Sequence, residues 1–167
     1  MKKIQNYLRT DPDFVLATVG YIVRAKELLL GVRKRVSSGL GESLIAGIGG
    51  KLEAGETDEQ ALKREFLEEV AATVTSYRLM GRATYLFPHK PKWNQKVSIY
   101  VIDGWEGEPQ ETDDVRPVWV QRATLPKDNM WPDNLYTIPL VLAGKTIEGV
   151  FLYNEAGSIE EYELFEC

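Results

Sequence analysis

Cysteine and histidine are almost missing from this chain, which has one of each in 167 residues, Cys167 and His89. A lone cysteine forms no intrachain disulfide, and neither residue supplies a cysteine zinc site or a multi-histidine metal centre; a reducing compartment is expected. Long apolar runs are missing too. The longest, FVLATVGYIV from Phe14 to Val23, has about ten residues, too few to cross a bilayer. The opening MKKIQNYLRTDPD lacks the apolar core of a secretion signal, so a cytoplasmic protein without a membrane partner is expected. There is no excess of positive charge: 20 basic side chains face 25 acidic ones, for a net charge of −5. That balance argues against wrapping a nucleic-acid polymer. It leaves a small polyanionic substrate open, because bound metal ions invert the local sign.

The chain reads as β-rich with two helices inserted. FVLATVGYIVR and ELLLGVRKR are strands joined by a short turn, and residues 36–41 are a loop. SLIAGIGG is a short apolar piece closed by glycines. TDEQALKREFLEEVAA has Thr57 at an N-cap with Gln60 three residues later, and Ala61, Leu62, Phe66 and Val70 follow a helical period. Strands follow at SYRLMGRATYLFP, KVSIYVIDGW and RPVWVQ. A second helix begins near Asp133 and stops at Gly144, and TIEGVFLYN with IEEYELFE forms a closing hairpin. This order predicts a mixed-sheet α/β or α+β sandwich in one layered domain.

On the first helix, Glu65, Glu68 and Glu69 share a face, and three like charges there destabilise it by a few tenths of a kcal/mol per pair, roughly. A solvated face tolerates that. A cation reverses it, and three carboxylates suit Mg²⁺ or Mn²⁺, which take hard oxygen ligands. The preceding GIGGKLEAGE, with Gly47, Gly49, Gly50 and Gly55, predicts a tight loop whose backbone comes close to something. Lys51 is a point charge for a phosphate, and Arg64 is expected to pair with Glu56 across the loop–helix junction.

The run from Gly50 through Glu56 to Arg64-Glu65-Phe66-Leu67-Glu68-Glu69-Val70 resembles the Nudix box, spanning residues 50–72. The resemblance implies a single Nudix domain over residues 1–167, a Nudix-type α/β/α sandwich with a central mixed β-sheet and two main helices. It implies Mg²⁺ held by Glu65, Glu68 and Glu69 with the Gly49 carbonyl. Ala71 stands where the family has glycine at the helix end, and Ala72 where it has a larger apolar residue. GVRKR, GIGGKLEAGET, RPVWVQ, LPKDNMWPDN and EGVFLY are further similar, in order, to the animal-type MutT enzymes, which hydrolyse oxidised purine nucleoside triphosphates such as 8-oxo-dGTP to the monophosphate and pyrophosphate.

By that resemblance Trp131 stacks on the base, Asp133 bonds its edge, Arg33 lies near the substrate, and Thr18 sits at the pocket floor. Read alone, Trp-Pro-Asp is a helix start with Asp133 as its cap. Tyr85, Phe87 and Trp93 either wall the base pocket or pack the core. Two positions depart from the resembling enzymes: Asn134 replaces the second aspartate of a pair, and Ala46 replaces an asparagine. A carboxylate pair shares a proton and both donates and accepts; Asn134 does not titrate and Ala46 offers nothing. The mechanism this implies is in-line attack by a metal-bound water, with Glu69, Glu65 or Asp114 as base and Arg33 or Lys51 receiving charge on the pyrophosphate. Hydrolysis of dinucleoside polyphosphates or nucleotide sugars, or non-catalytic nucleotide binding, are the rival readings. The working unit is expected to be a monomer or homodimer.

Overall fold

The computed structural model describes residues 2–34 and 44–167. In chain order the elements are α1 (Lys3–Leu8), β1 (Val15–Arg24), β2 (Glu27–Arg33), β3 (Ile45–Ala46), β4 (Ile48–Lys51), α2 (Asp58–Val70), β5 (Thr73–Leu86), β6 (Gln95–Glu106), β7 (Val115–Gln121), α3 (Asn134–Leu142), β8 (Ile147–Tyr153) and β9 (Ile159–Glu166). The 36–41 loop lies within the segment 35–43, outside the described residues.

Side-chain alternation makes this sheet two-faced. Tyr21, Leu28, Leu30, Ile99 and Val101 enter one apolar cluster, while their neighbours Ile22, Leu29, Tyr100 and Ile102 enter another. Each face then needs a covering layer. α2 covers one with Leu62, Phe66 and Val70, and α3 covers the other with Ile138 and Val141. The strands run β4-β1-β6-β5-β8-β9; β1 with β6 and β5 with β8 are parallel, and the other neighbours antiparallel. The last residues of β1 turn away to pair with β2, which also carries β3 and β7. This is the α/β/α sandwich with a central mixed sheet that the sequence predicts.

The sequence reading has no counterpart for α1. Only one of its residues, Ile4, is fully buried, packed with Leu86 and Leu152, so its periodic signal is weak. It is held largely from outside: Lys2 and Lys3 pair with Glu163 and Glu160, and the Ile4 N–H donates to Glu161 at 2.6 Å.

α2 starts where its capping box predicts. Thr57 Oγ1 accepts from the Gln60 N–H, and Gln60 Oε1 accepts from the Thr57 N–H at 2.9 Å. It ends at Ala71, which is left-handed at φ 58° and ψ 30°, while the Ala72 N–H donates back to Phe66 O. Alanine in that conformation costs on the order of 1 kcal/mol relative to glycine. Ala71→Gly is therefore expected to raise stability by about 1 kcal/mol, a Tm gain of roughly 2–4 °C, with turnover unchanged. Calorimetric melting checks it, and a lower Tm in the variant contradicts it.

Candidate active site

The acidic residues sit on the last two turns of α2, beside the partial negative charge of its C-terminus, with no basic residue in that turn. Arg64 meets this concentration of charge. Its Nε and Nη2 grip the Glu56 carboxylate at 2.7 and 2.9 Å, and Nη2 also donates to Lys51 O at 3.0 Å. Its Nη1 donates to Glu65 at 2.9 Å and to Glu68 at 3.2 Å. Glu56 in turn accepts from the Glu53 N–H at 2.7 Å, so the fork ties the glycine loop to the helix. Arg64 holds the Glu56 carboxyl down at about 2.

Glu69 is the buried member of the set, 6% exposed. Burial, with the neighbouring Glu65, pushes its carboxyl up to about 7 against the pull of Arg33. Its Oε1 accepts from Arg33 Nη1 at 3.2 Å, and its buried Oε2 has no partner. Arg33 Nη2 donates at 3.0 Å to the carbonyl of Gly49. Both glycines are required here: a Cβ on Gly49 would lie 2.0 Å from Thr18 O, and one on Gly50 would lie 2.6 Å from the Glu65 carboxylate. Arg33 thus brings Gly49 O and Glu69 together, and Glu65, held by Arg64, lies beside Glu69.

Among the described residues no three acidic or imidazole groups stand as a ready-made metal cluster. The donor set nevertheless fits a hard divalent cation: it is all oxygen, one buried oxygen is unpaired, and two guanidiniums lie against it. Glu65, Glu68, Glu69 and the Gly49 carbonyl are the groups that would hold the ion.

A cavity of about 350 Å³ leads from Gly49, Gly50, Lys51 and Arg33 to an aromatic chamber. The Trp131 ring meets Phe87 at 5.7 Å and 79°, Trp93 at 6.4 Å and 88°, and Tyr153 at 5.1 Å and 83°. Edge contacts on several sides fix its plane. Of the sequence candidates Tyr85, Phe87 and Trp93, all three line the cavity. Thr18 lies there as well, 2% exposed, with its hydroxyl unpartnered. An orphaned buried hydroxyl aimed into a cavity calls for a ligand partner. Trp131→Ala is expected to raise KM for a purine nucleotide about tenfold or more, from roughly 1–3 kcal/mol of lost stacking, with kcat little changed. Steady-state kinetics separates the two, and an equal loss in kcat would place Trp131 elsewhere.

Asp133 stands at the start of α3, but its side chain caps nothing. It is 3% exposed and accepts instead from Tyr153 at 2.5 Å and Tyr85 at 2.8 Å. Asn134 Nδ2 donates to Trp131 O at 3.0 Å, and Tyr21 donates to its Oδ1 at 3.4 Å. Thr18, Arg33, Lys51, Trp131, Asp133 and Asn134 therefore share one cavity. Asp114 does not: it is exposed, before β7, and absent from the lining. Sequence reasoning missed Tyr21 and Tyr153; the parallel register of β5 on β8, Tyr85 opposite Phe151, is what brings Tyr153 near Tyr85.

A glycine loop at the head of an acid-bearing helix thus borders a cavity that ends in an aromatic chamber. Residues 14–141 match the model of the NUDIX domain, and the chain belongs to the Nudix hydrolases. It is 36% identical to the oxidized purine nucleoside triphosphate hydrolase of Danio rerio over 90% of this chain and 94% of that one. The Mus musculus protein of the same name is 34% identical over the same shares. A MutT protein from Bacillus halodurans has the same fold, with TM-score 0.78 over 90% of this chain and 97% of that one at 22% identity. Nudix hydrolases use divalent metals. No helix among the described residues is long and apolar enough to cross a membrane.

Proposed function

We propose that this protein hydrolyses purine nucleoside triphosphates, including those oxidised on the base, to the monophosphate and pyrophosphate, and so cleans the cytoplasmic nucleotide pool. The observation that carries this is one cavity running from the Trp131 chamber to Arg33, Gly49, Gly50 and Lys51, against which Glu65 and Glu69 of α2 lie, because a nucleotide needs a stacking platform and a polyphosphate site at one span. The names of the Danio rerio and Mus musculus relatives support the substrate class. In this reading residues 1–167 work as one catalytic domain.

Trp131 stacks on the base, with Asp133 and Asn134 at its edge and Thr18 at the floor. Mg²⁺ is the proposed ion, with Mn²⁺ as a substitute; when bound it neutralises phosphate charge and lowers the pKa of a water. Glu65, Glu68, Glu69 and the Gly49 carbonyl hold it. Glu69, with Glu65 beside it, accepts the proton of the attacking water. Arg33 and Lys51 receive charge developing on the leaving pyrophosphate. Glu56 acts at one remove, by fixing Arg64.

The test is pyrophosphate release from 8-oxo-dGTP, 2-hydroxy-dATP and dGTP, and release of adenine mononucleotides from diadenosine polyphosphates, with Mg²⁺ and after chelation. Release from the triphosphates that stops on chelation is the expected result. Activity confined to the diadenosine compounds overturns the substrate assignment, and no release from any overturns the catalytic one.

A further inference from the structure

The surroundings of Asp133 restrict what it can recognise. The Tyr153 oxygen accepts the backbone N–H of Asp133 at 3.1 Å, so its own proton goes to Asp133 Oδ1 at 2.5 Å. Tyr85 gives its proton to Oδ2 at 2.8 Å. Burial and the charge of Asp133 push both phenols far above their usual range, so each remains a donor at any physiological pH. One lone pair on each carboxylate oxygen is thus filled by a phenol, and the other is left for a ligand. The residue beside it cannot exchange a proton with it: Asn134 does not titrate, and its amide is engaged by Trp131 O and Tyr21. The side chain of Ala46, on the same cavity, offers no polar group.

We propose that Tyr85 and Tyr153 are specificity-determining positioning residues, whose hydroxyls fix Asp133 as an acceptor-only reader of the base edge. Such a reader takes a purine edge with two adjacent N–H donors, the ring amide and exocyclic amine of a guanine. It rejects the adenine edge, whose ring nitrogen presents a lone pair to the carboxylate. This rests on the nucleotide-hydrolase reading above and narrows it. A mismatched buried acceptor should cost roughly ten- to a hundredfold in affinity.

Burial pushes the Asp133 carboxyl up to about 6, and the two phenols oppose that shift. The titratable groups facing it are Tyr21 from β1, Tyr85 from β5 and Tyr153 from β8. Above pH 6 the carboxylate is ionised and reads donors only. Without the phenols only a backbone N–H still opposes burial, the Asp133 carboxyl rises further, and its protonated form offers a donor to adenine.

The experiment is calorimetric binding of 8-oxo-dGMP and 8-oxo-dAMP, two bases with the same oxidised ring and opposite edges. The proteins are the wild type, Tyr85→Phe, Tyr153→Phe and the double variant, at pH 7.5 and pH 5.5. Expected is a wild-type preference for the guanine of at least tenfold at pH 7.5, shrinking at pH 5.5. The double variant should lose the preference already at pH 7.5, with the single variants between. A structural prop would weaken both nucleotides alike and leave the ratio unchanged, which overturns the proposal. So does a wild-type ratio near one, or binding of neither nucleotide. Pyrophosphate release on the same proteins is scored separately. Guanine-selective binding without hydrolysis sinks the proposed activity and keeps this inference; hydrolysis of both triphosphates with equal kcat/KM does the reverse.

Discussion

Glu69→Gln is expected to lose turnover by a factor of about 10²–10⁴ and, without metal, to melt higher than the wild type at pH 8. The two effects have one source. Glu69 is buried with one oxygen unpaired, and burial raises its carboxyl to about 7 despite Arg33. A carboxyl whose folded value lies above its unfolded value of 4.5 favours the fold when protonated. Stability therefore falls as pH rises from about 4.5 through about 7, and the full cost is present above that. Glutamine imitates the protonated acid at every pH. The difference in Tm should be largest at pH 8 and vanish below pH 4.5. With Mg²⁺ the order should reverse, because the wild type gains the binding free energy of the ion and the variant largely does not. Melting scans with and without Mg²⁺, beside an activity assay, check all of this. A variant keeping more than a tenth of the activity would remove Glu69 from the centre of the site.

Arg64→Ala is the second large effect. One guanidinium touches Glu56, Glu65, Glu68 and the Lys51 carbonyl, with Glu53 at 3.7 Å. Its loss leaves Glu56 and Glu65 mostly buried with no cation between them, and frees the glycine loop from the helix. Turnover should fall at least about a hundredfold, since misplacing reacting groups by an ångström costs that much. Arg64→Lys should recover little, because an ammonium cannot reproduce the bidentate grip on Glu56. Carboxyl NMR gives a readout independent of catalysis. The Glu56 resonance should titrate near 2 in the wild type and return to the ordinary carboxylate range in the variant. In sign, the depressed value means that the pair stabilises the fold above about 4.5 and is lost as pH falls toward 2. An unshifted Glu56 in Arg64→Ala would show that the loop, not the arginine, sets its acidity.

How much of this was legible in the sequence differs by distance along the chain. The acid face of α2 could be read because its carboxylates lie between Glu65 and Glu69, and one helical turn of spacing decides which of them meet. The Glu56–Arg64 grip was readable for the same reason. The sandwich could be read from the order of β-rich segments with two helices inserted among them. The clamp on Asp133 could not. Tyr85 lies 48 positions away and Tyr153 lies 20 away, and only the pairing of β5 with β8 makes them neighbours. Local pattern favoured Asp133 as a helix cap, but tertiary contacts took its side chain elsewhere. Thr18 and Trp131 were found only through resemblance, since a lone threonine on a strand has no signature of its own. α1 escaped because six residues with one buried side chain carry almost no period.

α1 also bears on the order in which the molecule can assemble. Ile4 is covered by Leu86 and Leu152, and the Tyr7 hydroxyl accepts from Asn94, whose own oxygen accepts from the Phe87 N–H at 2.7 Å. α1 thus waits for the much later β8 before it can dock, and Tyr153 on that same strand completes the chamber around Trp131. β1 likewise waits some 80 residues for its parallel partner β6, a separation that slows closure. Partly made chains would therefore expose the apolar faces of β1 and β5, and the chamber around Trp131 should not form before β8 has been made.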